Sequence, residues 1–197
     1  MTVESSAPKF LLGSGSPRRR KILQRLGYRF RVEAAEVTEI TKSRSATQLV
    51  LENAGMKAQA LAEKYPRETI LSADTVVALE DQQLNKPRDH EEALQMLLGL
   101  SGKQHQVHSA IVLRSPLLPA GMREMVATGA VRFLPFDRQT AIRYLALIDP
   151  LDKAGAYAIQ EHRALIIEGW RGSYFTIMGL PVRETIGLLQ EAGIQRG

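Results

Sequence analysis

The stretch Leu11-Leu12-Gly13-Ser14-Gly15-Ser16-Pro17-Arg18-Arg19-Arg20 joins an apolar run to a helix start through four small residues. Ser16 is a preferred N-cap type and Pro17 a preferred first helical residue, so the turn into the helix is sharply marked. A buried strand over Lys9 to Ser14 and a helix over Pro17 to Leu26 are predicted, with Gly27 as the C-terminal stop. Three arginines in that first turn sit at the positive end of the helix dipole, an unfavourable placing that asks for a compensating anion. Backbone N–H groups, two hydroxyls and guanidinium forks together describe a phosphate cradle. The plainer alternative is a cationic helix face in water.

Working outward, Tyr28 to Ala34 alternates as a second strand and Glu36 to Ser45 is polar and turn-like. Thr47 to Lys64 carries a helical apolar pattern through Leu49, Val50, Ala54 and Leu61. Thr69 to Ala73 is a short apolar run ending at Asp74, and Val76 to Leu79 continues it, so Asp74 belongs within or at the tip of a central strand. Asp89 with Glu92 makes an acidic capping box for a helix to about Leu98. Lys103 to Leu113 and Met122 to Leu134 are strands around a turn-rich Ser115 to Gly121, and Asp137 caps a helix through Leu147. Ala156 to Ile159 and Ala164 to Glu168 read as further short strands, and a last helix begins at Pro181 and ends near Gly193. The fold class is therefore α/β with a mixed sheet; the absence of a strict βαβ repeat disfavours a doubly wound nucleotide fold.

A chain of 197 residues, 44% hydrophobic, with no Pro/Gly/Ser-rich linker, reads as one domain over 1–197. The net charge of +5 is modest and the basic residues are scattered apart from Arg18 to Arg20. That suits a polyanionic small molecule at least as well as nucleic acid. Without cysteine there is no disulfide and no thiolate metal site. The segment from Met1 to Lys9 is polar, without a signal core, and no run approaches the roughly 18 apolar residues of a membrane span. A cytoplasmic protein with no membrane partner is the expectation.

The chain also carries Ala73-Asp74-Thr75, Asn85-Lys86-Pro87 and Asp152-Lys153-Ala154-Gly155-Ala156-Tyr157-Ala158-Ile159-Gln160 in that order. With the segment from Ser14 to Arg20, this series resembles the Maf family of nucleoside triphosphate pyrophosphatases from Ser14 to about Pro181. The resemblance implies an elongated mixed sheet with flanking helices and two lobes around a central cleft, as in the Maf and ITPase-like proteins. It also implies hydrolysis of dTTP and UTP to the monophosphate and pyrophosphate, clearance of modified nucleotides, and a link to cell-division arrest.

Phosphoanhydride cleavage needs charge neutralisation on the phosphates, a metal to polarise them and a group that orients or deprotonates water. Cations are available in Arg18, Arg19, Lys57, Lys86 and Lys153, and carboxylates in Glu39, Asp74 and Asp152. Oxygen ligands alone suit Mg²⁺ or Mn²⁺ rather than zinc. Asp74 ends an apolar strand, where a carboxylate is costly without a cation partner, though a turn or capping aspartate is the local alternative. By resemblance Asp74 is the water-activating residue, Glu39 and Asp74 the metal ligands, and Ser14, Arg18, Arg19, Lys57, Thr75, Lys86, Lys153 and Gln160 the substrate-binding set. Lys153 is expected on phosphate and Gln160 on the base. Arg18, Thr75 and Gln160 match the dTTP/UTP group, whereas the group acting on 7-methyl-GTP tends to have an aromatic residue and a glutamate at the first and last of these positions. Thr38, Asn85 and Glu161 stand where the family usually has aspartate, glycine and glycine.

Other signals carry less. His105 and His108, three apart in a strand, point to opposite faces and share no metal. Ser14 and Ser16 form no nucleophile elbow, and no Gly-x-x-x-x-Gly-Lys-Ser/Thr segment exists. Trp170, Tyr174 and Phe175 read as an aromatic core cluster in preference to a base-stacking surface. A nucleic-acid-binding cell-division regulator using the arginine-rich helix is the competing class, disfavoured by Glu33, Glu36 and Glu39 nearby. The sequence leaves room for a homodimer.

Overall fold

The computed structural model describes residues 9–197, so the expectation for the N-terminal segment lies, apart from Lys9, outside the described residues. In chain order the elements are β1 (Leu11–Gly13), α1 (Pro17–Arg25), β2 (Arg31–Val32), α2 (Ala46–Lys64), β3 (Ile70–Leu79), β4 (Gln82–Leu84), α3 (His90–Leu100), β5 (Gln104–Arg114), β6 (Met122–Phe133), α4 (Arg138–Leu145), β7 (Ile167–Arg171), α5 (Tyr174–Ile177) and α6 (Val182–Glu191). Asp89 and Asp137 cap their helices as expected, and Ser45, read from sequence only as part of a polar turn, does the same. Ser45, Asp89 and Asp137 each accept a backbone N–H from the first turn of α2, α3 and α4. Ser16 occupies the N-cap of α1, but its side chain makes no capping hydrogen bond, which leaves that turn's N–H groups without a hydroxyl partner.

The strands form one seven-stranded mixed sheet in the order β2-β1-β3-β5-β6-β7, with β4 also on β3. β1 runs parallel to β2 and β3; the remaining pairs are antiparallel. The two apolar runs on either side of Asp74 are a single ten-residue strand. One edge of β3 pairs with β5 along nearly its whole length, from Ile70 to Ala78. Its other edge is shared: β1 pairs with Ile70 to Ser72 and β4 with Val77 to Leu79. Residues 73–76 therefore have no strand partner on that edge, and the site opens at this gap.

Side-chain alternation along β3 divides the interior. Leu71 and Ala73 pack with Ile22 and Leu23 of α1 and Leu188 and Leu189 of α6, while Val77 and Leu79 pack with Leu94 and Leu97 of α3 and Tyr144 of α4. Val76 points the other way, onto Leu49, Val50 and Ala54 of α2. Thr75 lies on the first face, at the seam between the first two apolar cores, and Asp74 on the opposite face, toward α2.

Four expectations need correction. Of Tyr28 to Ala34, two residues alone form strand β2. Ala156 to Ile159 is not a strand: Gly155 and Ala156 have φ of 67° and 61°, which turns the chain out of extended geometry. The Tyr144 hydroxyl then takes both backbone groups of Ala158, accepting from its N–H at 3.0 Å and donating to its carbonyl at 3.3 Å, in place of a ladder partner. Before β7, Arg163–Leu165 is a 3₁₀ turn. Nor are the aromatics near the C-terminus a core cluster. Trp170 is 40% and Phe175 42% exposed, with Tyr174 tilted against Trp170 and edge-on to Phe175, and Arg163 over the Trp170 ring.

Candidate active site

Asp74 points from the gap in the sheet toward α2, where Asn53 and Lys57 stand one helical turn apart on the same face. The Lys57 ammonium donates to Asp74 Oδ1 at 2.8 Å and meets Glu39 Oε1 at 2.6 Å. Asp74 and Lys57 are buried, whereas Glu39 reaches Lys57 from an exposed position, its side chain 39% accessible. Burial alone would raise the Glu39 carboxyl; the Lys57 hydrogen bond and charge, with help from Lys86 and Arg19, outweigh it and hold the group below its ordinary value. Asp74 Oδ2 has a weaker partner, Asn53 Nδ2 at 3.5 Å.

Asn53 also fixes the acidic loop. Its amide brackets Ile40, accepting from the backbone N–H at 2.9 Å and donating to the carbonyl at 3.0 Å. Two further amides hold the same loop: Gln83 exchanges hydrogen bonds with both backbone groups of Ser43, and Asn85 donates to the Thr41 carbonyl. Reading the sequence missed Asn53; its spacing of four before Lys57 on a helix was the available signal.

On the other side of β3, Arg19 is buried and committed. Its Nε donates to the Gly179 carbonyl at 2.7 Å, Nη1 to Ser14 Oγ at 2.8 Å and Nη2 to Thr75 Oγ1 at 2.9 Å. Burial lowers its pKa to about 10, against the opposing pull of Asp74, so it stays charged at neutral pH. Three of five guanidinium N–H groups are used and two remain for an anion. Gly179, which sequence reading also missed, has φ of 104°, and a Cβ there would approach Thr75 Oγ1 at 3.1 Å and the Arg19 guanidinium at 3.6 Å.

The rim is built from loops. Arg18 pairs with Asp152 Oδ2 at 3.1 Å and also donates to the Asp152 carbonyl. Lys153, 5% exposed, donates to Asp152 Oδ1 at 2.6 Å and to the Asp149 carbonyl, and lies 4.0 Å from Glu161. Burial would raise the Asp152 carboxyl, but Lys153 and Arg18 together depress it. Gln160 donates from its amide nitrogen to Glu161 at 2.9 Å, and its amide oxygen is buried without a partner. Lys86 lines the same space with no hydrogen bond or ion pair among the described residues.

Every site residue expected from sequence lines one cavity of about 240 Å³. It is acidic and cationic at the β3 gap and apolar toward Val107, Tyr157, Ile159 and Ile177. Tyr157 is set from behind by His105, whose Nε2 lies 2.8 Å from its hydroxyl, and burial takes that imidazole down to about 4, leaving it neutral. His108 bonds Thr128 instead, so the two histidines are separate as expected. Of the arginine run, Arg18 and Arg19 turn into the cavity and Arg20 is exposed, so these three do not form one phosphate-backbone face.

Among the described residues no cluster of three or more acidic or histidine side chains has metal-holding geometry. Glu39 and Asp74 nonetheless bring oxygens to one point, the Lys57 ammonium. Two carboxylates with room for water and phosphate oxygens suit Mg²⁺ or Mn²⁺, which keep several waters, and would not make a closed structural site. No helix of the described residues is long and apolar enough to cross a membrane.

The description of one protein family, Maf-like protein, matches residues 9–192. A dTTP/UTP pyrophosphatase of Akkermansia muciniphila is 40% identical over 187 residues, covering 94% of this chain and 97% of that protein. A dTTP/UTP pyrophosphatase of Myxococcus xanthus is 40% identical over 187 residues, covering 93% and 92%. The structure of the Staphylococcus aureus Ham1 protein superposes with a TM-score of 0.50 at 14% identity, covering 92% of this chain and 95% of that one, a likeness of fold.

Proposed function

The chain belongs to the Maf family, and on that premise we propose that it is a nucleoside triphosphate pyrophosphatase that takes dTTP and UTP. Water adds its oxygen to phosphorus, the α–β anhydride P–O bond breaks, and the products are the nucleoside monophosphate and pyrophosphate. The observation that carries this reading is the buried Lys57 ammonium joining Asp74 and Glu39 at a gap in the sheet, facing Arg19, Lys86 and Lys153 across one cavity.

Asp74 is the group that accepts the proton of water. Lys57 occupies its Oδ1, which leaves Oδ2 as the basic atom. Glu39 and the same carboxylate would hold Mg²⁺ or Mn²⁺, which supplies neutralisation of the phosphate charge. Ser14 and the two unused N–H groups of Arg19 form the inner part of the phosphate cradle, Lys86 brings an unpaired ammonium, and Arg18 and Lys153 can exchange Asp152 for phosphate oxygens. Gln160, with Arg18 and Thr75, sets base preference: a glutamine amide offers one donor and one acceptor to the carbonyl and N3–H of uracil or thymine. A catalytic unit spanning 1–197 and acting in the cytoplasm fits this reading. A panel of nucleoside triphosphates with Mg²⁺ or Mn²⁺, before and after EDTA, with identification of products, tests it. Release of orthophosphate in place of pyrophosphate, or full turnover after exhaustive chelation, defeats the corresponding part.

A further inference from the structure

A second and larger groove, about 650 Å³, opens directly from the cavity and shares Arg18, Asp152, Lys153, Gln160 and Met178 with it. One wall is α1, which presents Arg18, Lys21 and Arg25 at spacings of three and four residues, on one helical face. The opposite wall carries the exposed Phe175 ring and the Tyr174 ring of α5. Arg18 is paired with Asp152, whereas Lys21 and Arg25 are exposed and make no hydrogen bond or ion pair among the described residues. The groove's acids are otherwise engaged. Asp152 and Glu161 face Lys153, and Asp149 accepts the Leu151 N–H.

We infer that this groove takes the next nucleotide of a 5′-triphosphorylated oligonucleotide, so that the enzyme removes pyrophosphate from such ends as well as from free nucleotides. This rests on the phosphoanhydride reading above. With the triphosphate at the Asp74 end, the nucleoside reaches the border residues Arg18, Lys153 and Gln160, and whatever is joined to its 3′ oxygen emerges between α1 and α5. There a phosphodiester meets Lys21 and Arg25, about 6 Å apart along the helix axis, and the following base has Phe175 to stack on. Uncompensated cations beside an exposed ring are what a single strand requires, and a free nucleoside triphosphate has no second anion to offer them. The reaction balances as for the mononucleotide: water's oxygen joins phosphorus, the α–β bridge breaks, pyrophosphate leaves, and a 5′-monophosphate end remains.

The test compares kcat/KM for UTP and for 5′-triphosphorylated diuridylate in the wild-type protein, in the Lys21→Ala, Arg25→Ala double variant and in Phe175→Ala. Expected are cleavage of both substrates by the wild type, a loss of about tenfold or more on the dinucleotide in each variant, mainly in KM, and UTP constants within about twofold of wild type. Dependence on salt should be steeper for the dinucleotide than for UTP in the wild type, and the two should converge in the double variant. A wild-type enzyme that turns over UTP but not the dinucleotide overturns the inference, as does a loss equal on both substrates or absent from both. Failure to cleave any nucleoside triphosphate would instead sink the proposed activity itself.

Discussion

Where Asp74 and Glu39 meet Lys57, the side chains come from a central strand, a long helix and a loop held by three amides, and the Lys57 and Asp74 side chains are about 11–12% exposed. Where Arg18 meets Asp152 and Lys153, they come from a helix end and a turn, and the Asp152 side chain is 40% exposed. Both places set cations against carboxylates at hydrogen-bonding distance. Each place has a buried lysine and an exposed carboxylate, Glu39 or Asp152; what differs is the second partner, since the Lys57–Asp74 pair is withdrawn from water and costly to break, while the Arg18–Asp152 pair is open to water and to an incoming anion. Chemistry that needs fixed geometry belongs at the first, and exchange of one anion for another at the second.

The largest effect expected from this contrast is on stability. Lys57→Met leaves the buried Asp74 carboxylate without its cation and with Glu39 nearby, and should cost about 3–5 kcal/mol in urea unfolding, as for a broken buried pair. A loss under about 1 kcal/mol would mean the site is wetter than its burial indicates. Asp74→Asn keeps shape and removes the base, so turnover should drop by at least about 10²-fold with the fold retained, checked by steady-state rates beside circular dichroism. Near wild-type turnover in that variant would remove Asp74 from the mechanism.

Lys86→Ala, on the cationic side, should weaken all nucleoside triphosphates alike, by about 1.5–3 kcal/mol in kcat/KM. A change of base preference would contradict its placement on phosphate. The smallest effect belongs to Asp152→Asn, about 0–1 kcal/mol of stability, because the pair is partly solvated. Its pH signature follows from the depressed carboxyl: the contribution is present above the ordinary aspartate range near 4 and fades as pH falls through the lower folded value. Acid unfolding curves of the wild type and Asp152→Asn should therefore begin to approach below about pH 4 and meet once the pH is under the lower folded value; curves that stay parallel would deny the pair any stabilising role.

Much of the carboxylate end was legible because its signals are local. A strand interrupted by Asp74, a helix with Lys57 and a Ser-rich turn before Arg19 each follow from neighbours in sequence. The gap that makes them a site was not legible, since it depends on β1 and β4 choosing the same edge of β3 from 57 and 3 residues away in the chain, counting from Gly13 to Ile70 and Leu79 to Gln82. Nor could alternation reveal that Ala158 hands its backbone to the Tyr144 hydroxyl, or that Trp170 and Phe175 remain in water. Those outcomes are decided by partners far along the chain, for which apolar periodicity carries no information.

The shared edge of β3 has a mechanical meaning. On one side of the gap stand β1, α1 and α6; on the other, β4, α3 and α4; through the gap itself the continuous connection is the ladder of β3 with β5 and onward to β6. That ladder works as a torsion bar between two stiff bodies. On the proposed reading, a polyphosphate held by Arg19 on one body and by Lys86 and Lys153 on the other would be a strut across the open side, and the substrate would complete the framework that holds it.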